Sequence, residues 1–147
     1  MRRQQWLWIA LLLWLVPSWA SAQMVVHTVA LATNSSGDKT VYTTGTAGRV
    51  VAVRYVPDAT DPMDSTSDIT ITDNGTGLQI LAATDLGTGA RDFWPRAYTV
   101  TTTGVNATYD GTRNVLDLVP VAGAIKIVVA QGGASNEGAL YIFVEGR

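Results

Sequence analysis

An all-β fold is predicted by the sequence, as an antiparallel β-sandwich or a jelly-roll-like barrel of about nine short strands. Three observations support this prediction. Runs of β-branched and aromatic residues of strand length are separated by turn residues at intervals of about 8–15 positions. No window keeps a helical period, and nineteen threonines follow residue 22. Their branched Cβ favours the pleated surface of a sheet.

The N-terminus has the pattern of a secretory signal peptide. Arg2 and Arg3 form a positive start, residues 6–16 form an apolar run, and residues 20–22 have the small-x-small form of a signal peptidase site. The run is shorter than the roughly 20 residues that a membrane-spanning helix needs. We therefore predict a cleaved signal over residues 1–22, with an uncleaved membrane anchor as the alternative.

The remaining chain, residues 23–147, is predicted to form one β-sandwich domain. It carries eight Lys or Arg and twelve Asp or Glu, and therefore a net charge of −4. Since phosphate neutralisation supplies most nucleic-acid affinity, we expect no nucleic-acid partner. No second apolar run reaches spanning length, so we expect no stable membrane span after cleavage. The predicted location is exported: periplasmic, at the cell surface or secreted.

The first half of this domain reads as strands joined by short turns. Residues 24–33 and 39–44 flank the turn cluster 34–38 and are predicted to form a hairpin. Residues 49–56 are apolar on two faces, with Val51, Val53 and Tyr55 on one of them, which predicts an interior strand.

The middle of the chain alternates between strand and loop signals. Residues 57–67 contain two prolines and three aspartates and are predicted to be an exposed loop. Residues 68–72 alternate, with Ile69 and Ile71 inward, and should form a hairpin with residues 78–83. Residues 84–91 are polar and glycine-bearing, so we expect them not to pack.

The last third contains the most strongly apolar strands. A strand over residues 93–102 is interrupted at Pro95, which places it at a sheet edge or at a bulge. Residues 105–114 are a predicted turn, followed by a strand over 115–120. Finally, residues 124–130 and 139–144 flank the glycine-rich loop 131–138 and are predicted to form a hairpin at the centre of a sheet.

Candidate catalytic groups are scarce. His27 is the only histidine and lies in an apolar strand, where a structural or exposed role is expected. The chain has no cysteine, and after residue 22 it has no Gly-x-Ser-x-Gly sequence, so the usual acyl-transfer arrangements lack their parts. We predict a protein that is not an enzyme, with no catalytic residues and no cofactor.

The acidic residues of the loop before residue 69 are the one candidate metal site. Carboxylates in loops are the ligands that Ca²⁺ prefers, but their spacing here does not fit an EF-hand. A solvated acidic loop is the favoured interpretation, and calcium is the alternative. The candidate ligands are Asp58, Asp61, Asp64 and Asp68.

Four segments, in the same order, resemble a family of small β-proteins encoded among the virion structural genes of tailed phages and prophages. The similarity extends over residues 48–144. The resemblance implies a non-enzymatic particle component, a head decoration or tail-associated protein, that works through surface contacts in a symmetric assembly and is virion-associated. It brings no catalytic residues. The segments are GRVVAVRYV (48–56), SDITIT (67–72), WPRA (94–97) and IKIVVAQGG (125–133).

Two functional hypotheses follow. The first is a structural module that associates with itself or with a protein lattice. The second is an exported ligand-binding or glycan-binding β-sandwich at the bacterial cell surface or in the periplasm. The candidate interface residues are Phe93, Trp94, Arg96 and Tyr98, although the expected role of Phe93 and Trp94 is to fill the core beside Pro95.

Overall fold

A computed structural model describes residues 23–146, which form two antiparallel sheets. Strands make up 53% of the structure and helices 0%. The predicted all-β fold is therefore confirmed. The predicted signal peptide, residues 1–22, lies outside the described residues and stays a prediction.

Ten strands are present, one more than predicted, because the chain at Pro95 separates two short strands. The larger sheet has the order β1-β10-β3-β8-β7, with β6 also paired to β3, and the smaller sheet has the order β2-β9-β4-β5. The strands are β1 (Met24–Ala32), β2 (Lys39–Tyr42), β3 (Gly48–Pro57), β4 (Asp68–Asp73), β5 (Gln79–Ala83), β6 (Arg91–Phe93), β7 (Arg96–Tyr98), β8 (Leu116–Val121), β9 (Ile125–Ala130) and β10 (Glu137–Glu145).

The inner faces of both sheets share one hydrophobic core. Alternate residues of each strand point inward, as the pleat of a strand requires. Ile69 and Ile71 are fully buried, which confirms their predicted orientation. Burying each such side chain contributes about 1.5–3 kcal/mol before the entropy of ordering is subtracted. The larger sheet supplies, among others, Val29, Leu31, Val53, Leu140 and Ile142, and the smaller sheet Ile69, Ile71, Ile125, Ile127 and Val129.

Strand β3 is an interior strand, as predicted, but its alternation is broken once. Phe143 pairs with Ala52 and Val144 pairs with Val50, so Val51 is an extra residue with no partner in β10. This β-bulge turns Val50 into the core, where it is fully buried, instead of leaving it on the opposite face from Val53. The predicted faces of this strand were therefore wrong at Val50.

Two of the three predicted hairpins are wrong. β4 and β5 do pair with each other. However, β1 pairs with β10 and β2 pairs with β9, so β1 and β2 lie in different sheets. Likewise, β9 pairs with β2 and β4, whereas β10 pairs with β1 and β3. The loops 33–38 and 131–136 therefore carry the chain from one sheet to the other. Glycine and asparagine supply the same local turn chemistry for a crossing as for a hairpin, so strand partners decide between the two.

These two loops interlock at one end of the sandwich with the loop between β3 and β4, which also crosses from one sheet to the other. The Gly132 N–H donates to the Gly37 carbonyl at 2.8 Å, and the Thr33 N–H donates to the Asn136 carbonyl at 3.0 Å. The Asp64 N–H also donates to the Gly132 carbonyl, at 3.1 Å. We call this region the crossover end, and it comprises residues 33–38, 58–67 and 131–137.

Two loops that were expected to lie outside the core contribute to it. Met63, in the predicted exposed loop, and Leu86, in the segment expected not to pack, are both fully buried. The Leu86 N–H donates to the Ser67 carbonyl at 2.9 Å, which fastens the second loop to the first. Each loop contributes a single apolar side chain to the space between the sheets.

Candidate interaction surface

Exposed apolar side chains are concentrated in one part of the fold. The described residues include eleven large apolar side chains that are exposed, and seven of them lie in the short stretch between β6 and the start of β8. Three of the other four lie on β1 and β2, and the last is Leu78. The seven are Trp94, Tyr98, Val100, Val105, Tyr109, Val115 and Leu116.

The first part of this surface is a row of outward side chains on and beside β7, which we call the aromatic ridge. It comprises Trp94, just before β7, Arg96 and Tyr98 of β7, and Leu116 of β8. Exposure alternates with burial along the chain here, as in any strand at a sheet surface. Trp94 is 65% exposed and Tyr98 is 60% exposed. Tyr98 stands opposite Leu116 of β8, so an aromatic and an aliphatic side chain form a cross-strand pair.

The inward residues of the same stretch hold the ridge against the sandwich. Phe93 is half-buried and packs against the core, and Pro95 is buried. The expectation that Trp94 fills the core beside Pro95 is therefore wrong, because the pleat turns Phe93 inward and Trp94 outward. Of the four candidate interface residues, Trp94, Arg96 and Tyr98 are exposed.

Arg96 fastens the ridge to β3. Its guanidinium donates to the Pro95 carbonyl at 2.7 Å and to the Val51 carbonyl at 3.3 Å. Val51 is the bulged residue, and at this point β3 changes its partner from β8 to β6. The arginine therefore satisfies a carbonyl that the strand ladder leaves free. The guanidinium therefore contributes hydrogen bonds to the fold, while the residue is also exposed on the ridge.

The second part of the surface is a protruding segment between β7 and β8, residues 99–115, which we call the arm. A ring of three backbone hydrogen bonds closes its base. The Thr99 N–H donates to the Val115 carbonyl at 3.0 Å, the Ala107 N–H to the Thr99 carbonyl at 2.8 Å, and the Val115 N–H to the Ala107 carbonyl at 2.9 Å. Two loops, residues 100–106 and 108–114, project from this ring.

Each loop of the arm is held by its own hydrogen bonds. In the first, the Thr101 N–H donates to the Val105 carbonyl at 2.8 Å. In the second, the backbone N–H groups of Arg113 and Thr112 donate to the Asp110 carboxylate and hold the pKa of that group below its usual value. Within the described residues, all hydrogen bonds of residues 99–115 are to other residues of that segment.

The arm contributes no buried residue to the sandwich. Instead it carries Val100, Val105 and Tyr109 at exposures of 62%, 64% and 85%. The sequence prediction missed these three side chains, because it assigned residues 97–102 to a strand and residues 105–114 to a turn. One signal was present: large apolar residues stand singly among Thr, Gly and Asn, without the alternation that burial in a sheet imposes.

The four candidate calcium ligands are not brought together. The Asp58 carboxylate accepts the N–H groups of Thr60 and Asp61, which lower its pKa. Asp64 contacts the side-chain amide of Asn136 at 3.3 Å, and Asp68 accepts the Asp85 N–H at 3.1 Å. Over residues 23–146, no group of three His, Asp or Glu side chains is arranged to hold a metal ion. Two of these carboxylates, those of Asp58 and Asp68, accept backbone N–H groups, which is a common role of aspartate in loops.

His27 lies on the inward side of β1, beside a groove between β1 and β2. Its Nε2 is enclosed and has no hydrogen-bond partner in the described part of the chain. The groove is lined by residues 26–30 and 41–44, none of which is acidic. The imidazole therefore stands apart from any carboxylate that would orient it as a general base.

Residues 23–146 contain no helix that is long and apolar enough to cross a membrane. A scan of protein-family models returns no match to this chain, and no curated protein matches its sequence. The arm and the aromatic ridge together carry seven of the eleven exposed large apolar side chains of the described residues.

Proposed function

We propose that this chain is a non-enzymatic structural or assembly module, of the kind that decorates a phage head or associates with a tail, and that it acts through its arm and aromatic ridge. One observation carries the proposal. Seven of the eleven exposed large apolar side chains of the described residues lie on a stretch in which residues 99–115 add nothing to the core.

Exposed apolar groups favour association because their removal from water is worth about 25 cal/mol per Å² of apolar surface. Contiguous apolar surface on a folded protein therefore marks an interaction site. The internal hydrogen bonds of the arm support the same function. Since the arm is already closed on itself, a partner needs to order little of its backbone, and less of the binding energy is lost to entropy.

The resemblance of residues 48–144 to virion β-proteins supports the class of partner, which is a repeating protein surface or further copies of this chain. Such an assembly requires many weak, identical contacts and no chemistry. Export through the predicted signal belongs to the same proposal and places the module at the cell surface, in the periplasm or outside the cell.

Replacing the arm tests this proposal. Because the Thr99 N–H and the Val115 carbonyl are already bonded, residues 100–114 can be exchanged for an Asn-Gly turn without moving β7 or β8. We expect the unaltered protein to form large species at rising concentration in sedimentation velocity, and the arm-replaced protein to remain folded but to lose them.

Leu78→Ser is the matched control, because it removes an exposed apolar side chain at a distance in sequence from the arm. It should leave the large species unchanged. A protein that stays monomeric at high concentration and binds no capsid, tail or envelope material would contradict the proposal. Large species that survive arm replacement would remove the arm from it.

Glycan binding by an exported β-sandwich is the second candidate, and the exposure of Trp94 and Tyr98 favours it. Aromatic faces stack on the apolar faces of sugars, and both rings here reach solvent. We expect a glycan array to show binding that Trp94→Ala and Tyr98→Ala abolish and Tyr109→Ala retains. An array with no signal from the unaltered protein would remove this candidate.

A further inference from the structure

The free edge of the larger sheet is unusually open to strand pairing. β1 is the terminal strand, nine residues long, and it pairs with β10 without interruption. Its sequence, MVVHTVALA, contains no proline, glycine, lysine, arginine or acid. Proteins normally protect such edges with charges, proline, bulges or short length, because an exposed ladder edge pairs with another chain.

The other four sheet edges are protected in these ways. β6, which pairs only with β3, has three residues and carries Arg91 and Asp92. β7 has three residues, follows Pro95 and is continued by the arm. β5 has five residues and a register shift in its pairing with β4. β2 has four residues and begins with Lys39. Only β1 among the described edges is long, neutral and regular.

The hydrogen bonds at the ends of β1 show which backbone groups face outward. The Gly146 N–H donates to the Gln23 carbonyl, and the Thr33 N–H donates to the Asn136 carbonyl. In an antiparallel pair, alternate residues bond to the same neighbour, so the odd-numbered residues of β1 bond to β10. The N–H and C=O groups that face the free edge belong to Met24, Val26, Thr28, Ala30 and Ala32.

The neighbouring strand of the other sheet does not occupy this edge. β2 pairs with β9, and a groove of about 400 Å³ lies between β1 and β2. Two exposed apolar side chains line this seam: Val26 at 46% and Tyr42 at 53%. The seam therefore combines exposed apolar side chains with backbone donors and acceptors that have no partner within the described residues.

We propose that a second copy of this chain pairs with β1 in antiparallel orientation, about a two-fold axis at Thr28. The inference rests on the proposed assembly function and specifies one of its contacts. The pairing joins the two larger sheets into one continuous sheet. It is isologous, so both copies use the same residues.

The side chains of β1 are complementary in size to those of a second β1 that runs in the opposite direction. With the axis at Thr28, Val26 stands opposite Ala30 of the second copy, and Met24 stands opposite Ala32. The large outward residues of the first half therefore meet the small ones of the second half. A parallel pairing would place Met24 against Met24 and leave the alanines facing each other. The antiparallel register also pairs all five outward-facing residues, whereas a slip of one residue would bring already bonded groups to the edge.

The position of the arm makes this contact useful for assembly. β1 and β7 are the two ends of the larger sheet, and the arm follows β7. A pair formed through β1 therefore carries its two arms at its far ends. Each pair then presents two separated contact surfaces, which is what an extended lattice needs.

Disulfide trapping tests the register directly, because the chain has no cysteine of its own. Thr28→Cys brings the two new thiols together at the axis, where directly bonded antiparallel residues have a Cα separation of about 5.5 Å, within the roughly 4.4–6.8 Å that a disulfide accepts. Thr70→Cys is the control, since it is also an exposed strand position but lies on β4, in the middle of the other sheet. On mild oxidation we expect at least tenfold more covalent dimer from Thr28→Cys. Equal yields from both variants would overturn the inference.

Thr28→Pro provides a second measurement. It removes one N–H from the free edge and leaves the bonds to β10 intact, a position at which strands tolerate proline. We expect the dimer dissociation constant to rise at least tenfold by sedimentation equilibrium, while the thermal transition stays two-state. An unchanged dissociation constant would overturn the inference.

The two proposals fail in different ways. If large species form and depend on the arm, but Thr28→Cys traps no more dimer than Thr70→Cys, the β1 contact is wrong and the assembly function stands. If Thr28→Cys traps the dimer but arm replacement leaves the large species unchanged, the β1 contact stands and the arm assignment is wrong. A protein that is monomeric at all concentrations overturns the β1 contact.

Discussion

The crossover end and the arm are both built from loops, yet they are held in opposite ways. At the crossover end, hydrogen bonds connect residues far apart in the chain: Thr33 bonds to Asn136, and Gly37 to Gly132. In the arm, every hydrogen bond of residues 99–115 stays within that segment. The first region is therefore part of what holds the two sheets together, and the second is attached to the sandwich only at its base.

This difference distinguishes the loops that stabilise the fold from the segment that the fold does not depend on. Loops whose backbone groups bond to distant segments are stabilised only when the whole sandwich is folded, so changes there affect global unfolding. A segment that bonds to itself can open or be replaced without unfolding the core. Its exposed apolar side chains therefore add little to the stability of the core, and in the proposed function they contact a partner. Two matched pairs of substitutions and one pair of titrations test the comparison.

The largest effect is expected from a pair of glycines that share a backbone conformation. Gly37, at the crossover end, has φ +82°, and Gly111, in the arm, has φ +80°. A Cβ on Gly37 would lie 2.9 Å from the Gly133 backbone nitrogen, whereas a Cβ on Gly111 would have no neighbour within 4 Å. We expect Gly37→Ala to lower the free energy of unfolding by about 2–4 kcal/mol, from left-handed strain and displaced backbone together.

Gly111→Ala carries the strain without the clash, and local opening of the arm relieves part of it. Its cost in denaturant unfolding should be about 1 kcal/mol or less. Equal costs for the two substitutions would show that the arm is as firmly integrated into the fold as the crossover end, and would break the comparison.

A pair of threonines should give a smaller effect. The Thr33 hydroxyl, which is buried, donates to the Gly133 carbonyl at 2.6 Å and accepts the Asn136 N–H at 2.9 Å. Thr33→Val keeps the shape but leaves those groups without a partner, so we expect a loss of about 1–3 kcal/mol.

Thr101→Val removes a hydroxyl that bonds to the Val105 carbonyl at 3.2 Å and to the Thr103 hydroxyl at 2.8 Å. These groups are exposed and can bond to water, so the change in unfolding free energy should stay within about 0.5 kcal/mol. Thermal unfolding of both variants measures the difference. A larger loss for Thr101→Val than for Thr33→Val would contradict the comparison.

The smallest effect is local and concerns two exposed aspartates. The N–H groups of Thr60 and Asp61 lower the pKa of Asp58, and those of Arg113 and Thr112 lower the pKa of Asp110, each from an ordinary value of 3.8. Because the pKa is lowered in the folded protein, the stability that these turn bonds contribute is fully present above pH 3.8 and is lost as the pH falls through the folded pKa.

We expect carboxyl-carbon NMR titrations of Asp58 and Asp110 to have midpoints below 3.8, with the bonded amides shifting in parallel. The core resonances should remain unchanged over that step, because both groups are exposed. A midpoint for Asp110 at or above 3.8 would show that the arm turn is not formed in solution.

The strands themselves could be predicted because their signal is local. Alternation placed Ile69 and Ile71 inward, and the one hairpin that was correct joins β4 to β5, which follow each other closely in the chain. Pro95 identified an edge position, and β7 is indeed a terminal strand. In each case the information lies within a few residues of the feature.

Features that depend on distant partners could not be predicted in this way. The loop at residues 131–138 has hairpin chemistry, yet β9 and β10 belong to different sheets. Val50 faces the core only because β10 opposes a bulge, and Met63 is buried only because the two sheets leave a space for it. Of the candidate interface residues, Trp94 was expected in the core and is exposed.

The amino-acid sequence alone determined that the chain forms short antiparallel strands and where most of them begin and end. Only the tertiary structure decided which strands pair, which loops cross between the sheets, and that, within residues 23–146, no further strand pairs with the outer edge of β1 and the arm bonds only to itself. The physical reason is that side-chain alternation and turn preference act between near neighbours in the chain. The choice among strand partners is made instead by the burial of both sheet faces at once.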